Sequence, residues 1–125
     1  MTTQNIANRL VALCREGKAQ QAIEELYSPD IVSIEPEGTP DRIATGLAAI
    51  AEKGKKFQAM IEKVHSSTVS DPIVADNIFS CAMLMNVDMK DVPVPVDMNE
   101  ICVYTVKDSK IIKEEFFYEL PPQQV

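Results

Sequence analysis

Apolar residues recur at helical spacing early in the chain: Ile6, Leu10, Leu13 and Cys14, then, after a break at Gly17, Ala19, Ala22, Ile23, Leu26 and Tyr27. The spacing predicts two amphipathic helices. Ser28-Pro29-Asp30 ends the second, and Ile31-Val32-Ser33-Ile34-Glu35 predicts a short strand closed by Pro36, which has no N–H to offer a neighbour. Pro36 to Gly46, with Gly38 and Pro40, is rich in turn formers and leads to a third helix, in which Leu47, Ile50, Ala51, Gly54, Phe57 and Ile61 share one face. From there the pattern belongs to strands. Glu62 to Val69 is one, and Ile73 to Lys90 is a second, bounded by Asp71-Pro72 and a loop containing Pro93 and Pro95. Glu100 to Val106 and Ile111 to Tyr118, both rich in β-branched and aromatic residues, form a hairpin around Lys107-Asp108-Ser109-Lys110.

In the long second strand Phe79, Cys81, Met83, Met85, Val87 and Met89 alternate against Ser80, Ala82, Asn86 and Asp88, so one face is an apolar stripe. Helices first and strands afterwards indicate an α+β domain, helices gathered on one face of a mostly antiparallel sheet. The 125 residues suit one domain, 1–125, with a single core. Three cysteines, Cys14, Cys81 and Cys102, without CxxC spacing argue against a disulfide framework or a zinc site, and reduced buried thiols suit the cytoplasm. No apolar run approaches the length of a membrane span, so a soluble protein is expected. A net charge of −7, from 19 acidic and 12 basic residues, disfavours nucleic acid as a partner. The one lysine cluster, Lys53, Lys55 and Lys56, reads as a solvated helix face.

The candidate chemistry lies in carboxylates placed within apolar strands. Pro36 restricts Glu35 to extended backbone and so fixes the direction of its carboxylate; inward, it is a desolvated general base or acid, and outward, a strand-end charge in water. His65, the only histidine, stands in a weakly alternating strand, either as a hydrogen-bonded structural residue or as a proton carrier suited to neutral pH. Met98, Glu100, Cys102 and Tyr104 share one parity, and Glu114, Phe116 and Tyr118 share another across the turn. Meeting on a concave face, they join the methionine stripe; otherwise Glu100 and Glu114 are edge charges that deter aggregation. Glu114-Glu115 puts one carboxylate on each face whatever the register. No Gly-rich phosphate loop or Cys/His metal spacing is present, so no cofactor or metal is expected.

The order of elements, with the Ile34-Glu35-Pro36-Glu37-Gly38 corner, the Glu62-Lys63-Val64-His65 strand and the closing Glu114-Glu115-Phe116-Phe117-Tyr118, resembles the cone-shaped fold of the nuclear transport factor 2 superfamily. More narrowly, from Asn5 to Tyr118, it resembles the SnoaL-like branch. The resemblance implies three N-terminal helices packed on a strongly curved sheet around an apolar pocket. It also implies a cofactor-independent acid/base reaction of cyclase, isomerase, dehydratase or hydratase type on a small apolar molecule. Ketosteroid isomerases of this superfamily carry their base just before a Pro at the end of the first strand, as Glu35 stands before Pro36, although Leu10 stands where they have a helix tyrosine. On this reading Glu35 is the base, His65 its partner or an acid, and Glu100 with Glu114 hold a shared proton or orient His65. Met83, Met85, Val87, Cys102, Tyr104, Phe116 and Tyr118 form the ligand-binding wall. Some members of the superfamily only bind or scaffold, so a ligand-binding or dimerisation module is the alternative. Ile101, Val103 and Phe117, of opposite parity, predict a homodimer through the outer face of the sheet.

Overall fold

The computed structural model describes residues 1–120, so the last five residues of the expected domain lie outside it. Helix α1 (Thr3–Arg15) starts at a capping box in which Thr2 Oγ1 accepts from the Asn5 N–H and the Asn5 side chain accepts from the Thr2 N–H. Gly17, with φ +73°, takes the left-handed turn that ends it. Helix α2 (Ala19–Leu26) runs directly into strand β1 (Tyr27–Ile34).

A short strand, β2 (Ile43–Thr45), occupies part of the segment expected to be only turns. It pairs antiparallel with Val32–Ile34, and the ladder continues to the Glu35 N–H, which donates to the Arg42 carbonyl at 2.8 Å. Pro36 cannot extend it. Gly46, at φ +90°, then turns the chain into α3 (Leu47–Met60) while its N–H donates to the Ile31 carbonyl. Ile61, expected on the helix, begins strand β3 (Ile61–Val69).

The expected strand from Ile73 to Lys90 is two strands, β4 (Ile73–Ala75) and β5 (Ile78–Met89), folded on each other with Ala75 opposite Ile78. Asp76 makes that turn possible by adopting φ +52°, which Asp tolerates better than most residues. Strands β6 (Val96–Lys107) and β7 (Lys110–Phe117) form the closing hairpin, with positive φ at both Asp108 and Ser109, as a tight two-residue turn requires.

The sheet order is β2-β1-β7-β6-β5-β3, with β4 paired to β5. Every pairing is antiparallel except β1 with β7. Helices packed on such a curled, mostly antiparallel sheet make the α+β fold expected from the order of elements. The apolar faces of α1 and α2 meet one end of the sheet, where Ile6, Leu10, Leu13, Leu26, Ile31, Phe79 and Ile111 are buried. The other end carries Met83, Met85, Met89, Val96 and Met98. There the concave face lines a cavity of about 1790 Å³ under α3.

Phe79 fixes the boundary between core and cavity: it is 0% exposed and stacks on Tyr104 with ring centroids 4.7 Å apart. Phe79→Ala should therefore cost about 3–5 kcal/mol, a large part of the stability of a domain this size, read as a lower urea midpoint at unchanged slope.

Candidate active site

Strand parity assembles the site. Ser33 lies beside Glu114 in the parallel β1–β7 ladder, Glu114 lies opposite Tyr104, and Tyr104 opposite Phe79, so one row of side chains crosses the concave face. Further along, Cys102 faces Phe116, Glu100 faces Met83, and Met98 faces Met85. Glu35, one pleat beyond Ser33, points the same way, with its side chain only 13% exposed.

Each carboxyl meets a different environment. Lys53 Nζ lies 2.6 Å from Glu35 Oε1, and the Tyr118 hydroxyl donates to Glu35 Oε2 at 2.8 Å. The same ammonium donates to the fully buried Ser33 Oγ at 2.6 Å and sits 5.0 Å from the centre of the Phe116 ring. Glu114, 4% exposed, has no lysine in contact; the Tyr27 hydroxyl spans its two oxygens at 2.9 and 3.1 Å. Burial pushes the Glu114 carboxyl up to about 7, against the opposing pull of the Tyr27 hydrogen bond and the more distant Lys53 charge. Glu100 is raised as well, chiefly by burial, although the Cys102 thiol donates to it at 3.5 Å. Burial and the bond to Glu35 lift the Tyr118 phenol to about 12. Burial first, with neighbouring acidic groups, holds Tyr27 and Tyr104 well above the usual phenol range.

Of the residues proposed from sequence, Glu35, Glu100, Glu114, Met83, Met85, Tyr104, Phe116 and Tyr118 line the cavity. His65 does not. In β3, Val64 pairs with Val87 and Ser66 with Asn86, so His65 is the extra residue of a β-bulge, and its Nε2 lies 2.8 Å from Asp88 Oδ1, away from the lumen. The expected contact of Glu100 and Glu114 with His65 is therefore absent. Val87 and Cys102 are both 0% exposed and do not reach the lumen. Val87 is a short side chain between the longer Met85 and Met89, and the Cys102 thiol is turned onto Glu100.

The expectation for Lys53 is corrected in the opposite sense. It is not on a solvated face but beneath α3, in the cavity, and its position three after Ile50 and four before Phe57 is the sequence signal for this. Tyr27 and Ser33, the other unforeseen members, share the inward parity of Ile31 and Glu35 or lie at the start of that strand. All three cysteines are free thiols, and among the described residues no cluster of three or more His, Cys, Asp or Glu is arranged to hold a metal. No helix among the described residues is long and apolar enough to cross a membrane.

Helices and a curled sheet thus enclose one largely apolar cavity into which the polar groups Glu35, Lys53, Glu100, Glu114 and Tyr118 are gathered. Residues 1–118 match the SnoaL-like domain family, and the chain belongs to that family. It is 32% identical to a SnoaL-like protein of Mesorhizobium loti whose name proposes a polyketide cyclase, over 94% of this chain and 100% of that one, with a TM-score of 0.88. Two other solved structures share the fold. One is a protein of Jannaschia whose name also proposes a SnoaL-like polyketide cyclase (16% identity, 93% and 85% of the two chains, TM-score 0.72). The other is a hypothetical protein of Catenulispora acidiphila with a ketosteroid isomerase-like fold, in complex with trimethylamine (20% identity, 92% and 85%, TM-score 0.72). No curated protein matches the sequence.

The raised Glu114 carboxyl ties stability to pH. Its folded pKa, about 7, lies above the ordinary value of 4.5, so between these pH values the native state binds more protons than the unfolded chain. The stabilising contribution is full below the ordinary value and is lost as pH rises through 7; a shift of this size corresponds to roughly 3 kcal/mol. Glu114→Gln, which stays neutral and keeps an oxygen for Tyr27, should abolish most of the difference between urea midpoints measured at pH 5 and pH 8.

Proposed function

We propose that this SnoaL-like protein is an acid/base enzyme that moves a proton on a small, largely apolar molecule, as in an isomerisation, cyclisation, dehydration or hydration. The observation that carries this reading is the convergence of Glu35, Glu100 and Glu114 on one apolar cavity, with an ammonium against the first and none in contact with the others. Carboxyls held in unlike environments can divide the labour of base and acid. Glu35, aimed by Lys53 and Tyr118, acts as base. Glu114, whose carboxyl burial raises to about 7, supplies the acid, with Glu100, raised in the same direction, beside it, and the methionines fit the ligand's apolar surface. The polyketide cyclase names of two relatives support the same chemistry.

A binding-only role is the second reading, favoured by protein donors on both oxygens of Glu35 and of Glu114. Enones and β-keto compounds incubated in D2O separate the two. The enzyme reading expects accelerated deuterium exchange at the α-carbon, lost by about 100-fold or more in Glu35→Gln, which keeps an oxygen for Lys53. Full-rate exchange by Glu35→Gln, or ligand binding with no exchange in the wild type, would leave the binding module.

Assembly as a homodimer through the outer face of the sheet is part of the same proposal. Ile101 and Phe117, register partners, are 48% and 50% exposed, and Leu84 joins them in a contiguous apolar patch. Sedimentation at micromolar concentration should give a species of twice the chain mass, and Phe117→Lys should shift it to the monomer; a wild-type monomer would refute this use of the face.

A further inference from the structure

In the acid/base reading Lys53 does no more than hold Glu35, yet its geometry is that of a reacting group. We propose that Lys53 is a nucleophile that forms an imine with aldehydes and ketones entering the cavity. An activated nucleophile is recognised by a base within hydrogen-bond reach and by a third group that orients the base. Lys53 Nζ, Glu35 Oε1 at 2.6 Å and the Tyr118 hydroxyl on Glu35 Oε2 at 2.8 Å meet both conditions. Lys53 is also held by the Ser33 hydroxyl at 2.6 Å and the Phe116 ring, and its side chain lines the lumen.

The step balances without any further reactant. Glu35 takes a proton from the ammonium, turning the ion pair into an amine and a carboxylic acid. The nitrogen lone pair then forms a C–N bond with the carbonyl carbon as the C=O π bond breaks, and a proton moves from nitrogen to oxygen to give a carbinolamine. Glu35 returns its proton to the hydroxyl, which leaves as water. Overall, one ammonium and one carbonyl give one iminium and one water, and the new cation keeps the Glu35 carboxylate and the Phe116 ring as neighbours.

The proposal rests on the cavity being a small-molecule site and narrows the ligand to carbonyl compounds. The probe is 1-phenylbutane-1,3-dione, which condenses with an amine to an enaminone that persists without a reductant. Labelling at neutral pH, followed by intact mass and peptide mapping, should add one diketone less one water, confined to Lys53. Lys53→Arg, which keeps the cation beside Glu35 and so the fold, should lose the label, and Glu35→Gln should slow it by about 100-fold. An untouched Lys53, or a label spread over exposed lysines such as Lys55 and Lys63, overturns the proposal. If deuterium exchange persists while Lys53 stays unlabelled, the imine is refuted and the acid/base reading stands; a label at Lys53 with exchange that is lost in Lys53→Arg supports the imine as the route of exchange in place of direct proton abstraction by Glu35.

Discussion

The parallel pairing of β1 with β7 is the constraint on which the site depends. A parallel pair cannot be joined by a tight turn, and here α3 and all of β3 to β6 intervene between its strands. Two phenol–carboxyl hydrogen bonds clamp the ladder at its two levels. Tyr27, the first residue of β1, donates to Glu114 on β7, and Tyr118, just past β7, donates to Glu35, just past β1 and 83 residues away in sequence. A slip of one residue in this register would turn Glu114 to the outer face and bring Glu115 into the cavity, where no Tyr27 hydroxyl would be waiting in the same geometry. The clamp thus fixes which of two adjacent glutamates faces the cavity.

Desolvation gives the carboxyls their separate characters. A buried carboxyl without a counter-charge is driven towards its neutral form, as Glu114 and, to a lesser degree, Glu100 are. Glu35 has Lys53 instead, and the pair is only partly exposed, at 13% and 31% for the two side chains. Losing either partner would strand a charge at the edge of an apolar lumen, a far larger penalty than the same change on the surface, where Lys18 and Glu16 pair in water. The one lysine that α3 contributes to this pair therefore decides which carboxyl has a counter-charge, and the strands decide which are buried without one.

The sequence carried the fold and most of the site through periodicity. Alternation placed Glu100, Tyr104, Phe116 and the methionines on the concave face, and Pro36 gave Glu35 its direction; both follow from backbone rules that act within a few residues. What escaped is what local rules cannot fix. His65 was read by an alternation that a bulge breaks, and a bulge depends on the partner strand's register. Lys53 was read by its charge and its lysine neighbours, although its helical phase with Ile50 and Phe57 pointed inward; the partner that makes burial of a lysine tolerable, Glu35, comes from another element. Val87 and Cys102 had the right parity but not the reach. The turn at Asp76 was hidden because an Asp–Asn pair between apolar residues interrupts a strand no more visibly than the polar side of the alternation does.

The two-residue period of a strand also couples the faces of the sheet. Strands β6 and β7 carry Glu100, Cys102, Tyr104, Glu114 and Phe116 inward and Ile101, Val103 and Phe117 outward, and the backbone between is common to both sets. Near the cavity those strands lack packed side chains on their concave side, which leaves their curvature supported by the ladder. A second chain seated there would resist flattening of the sheet, and flattening is the motion that would pull Phe116 from Lys53 and Tyr118 from Glu35. In the proposed dimer, burial outside and spacing inside would become one requirement on the same few residues, the apolar side chains of one face holding in register the polar groups of the other.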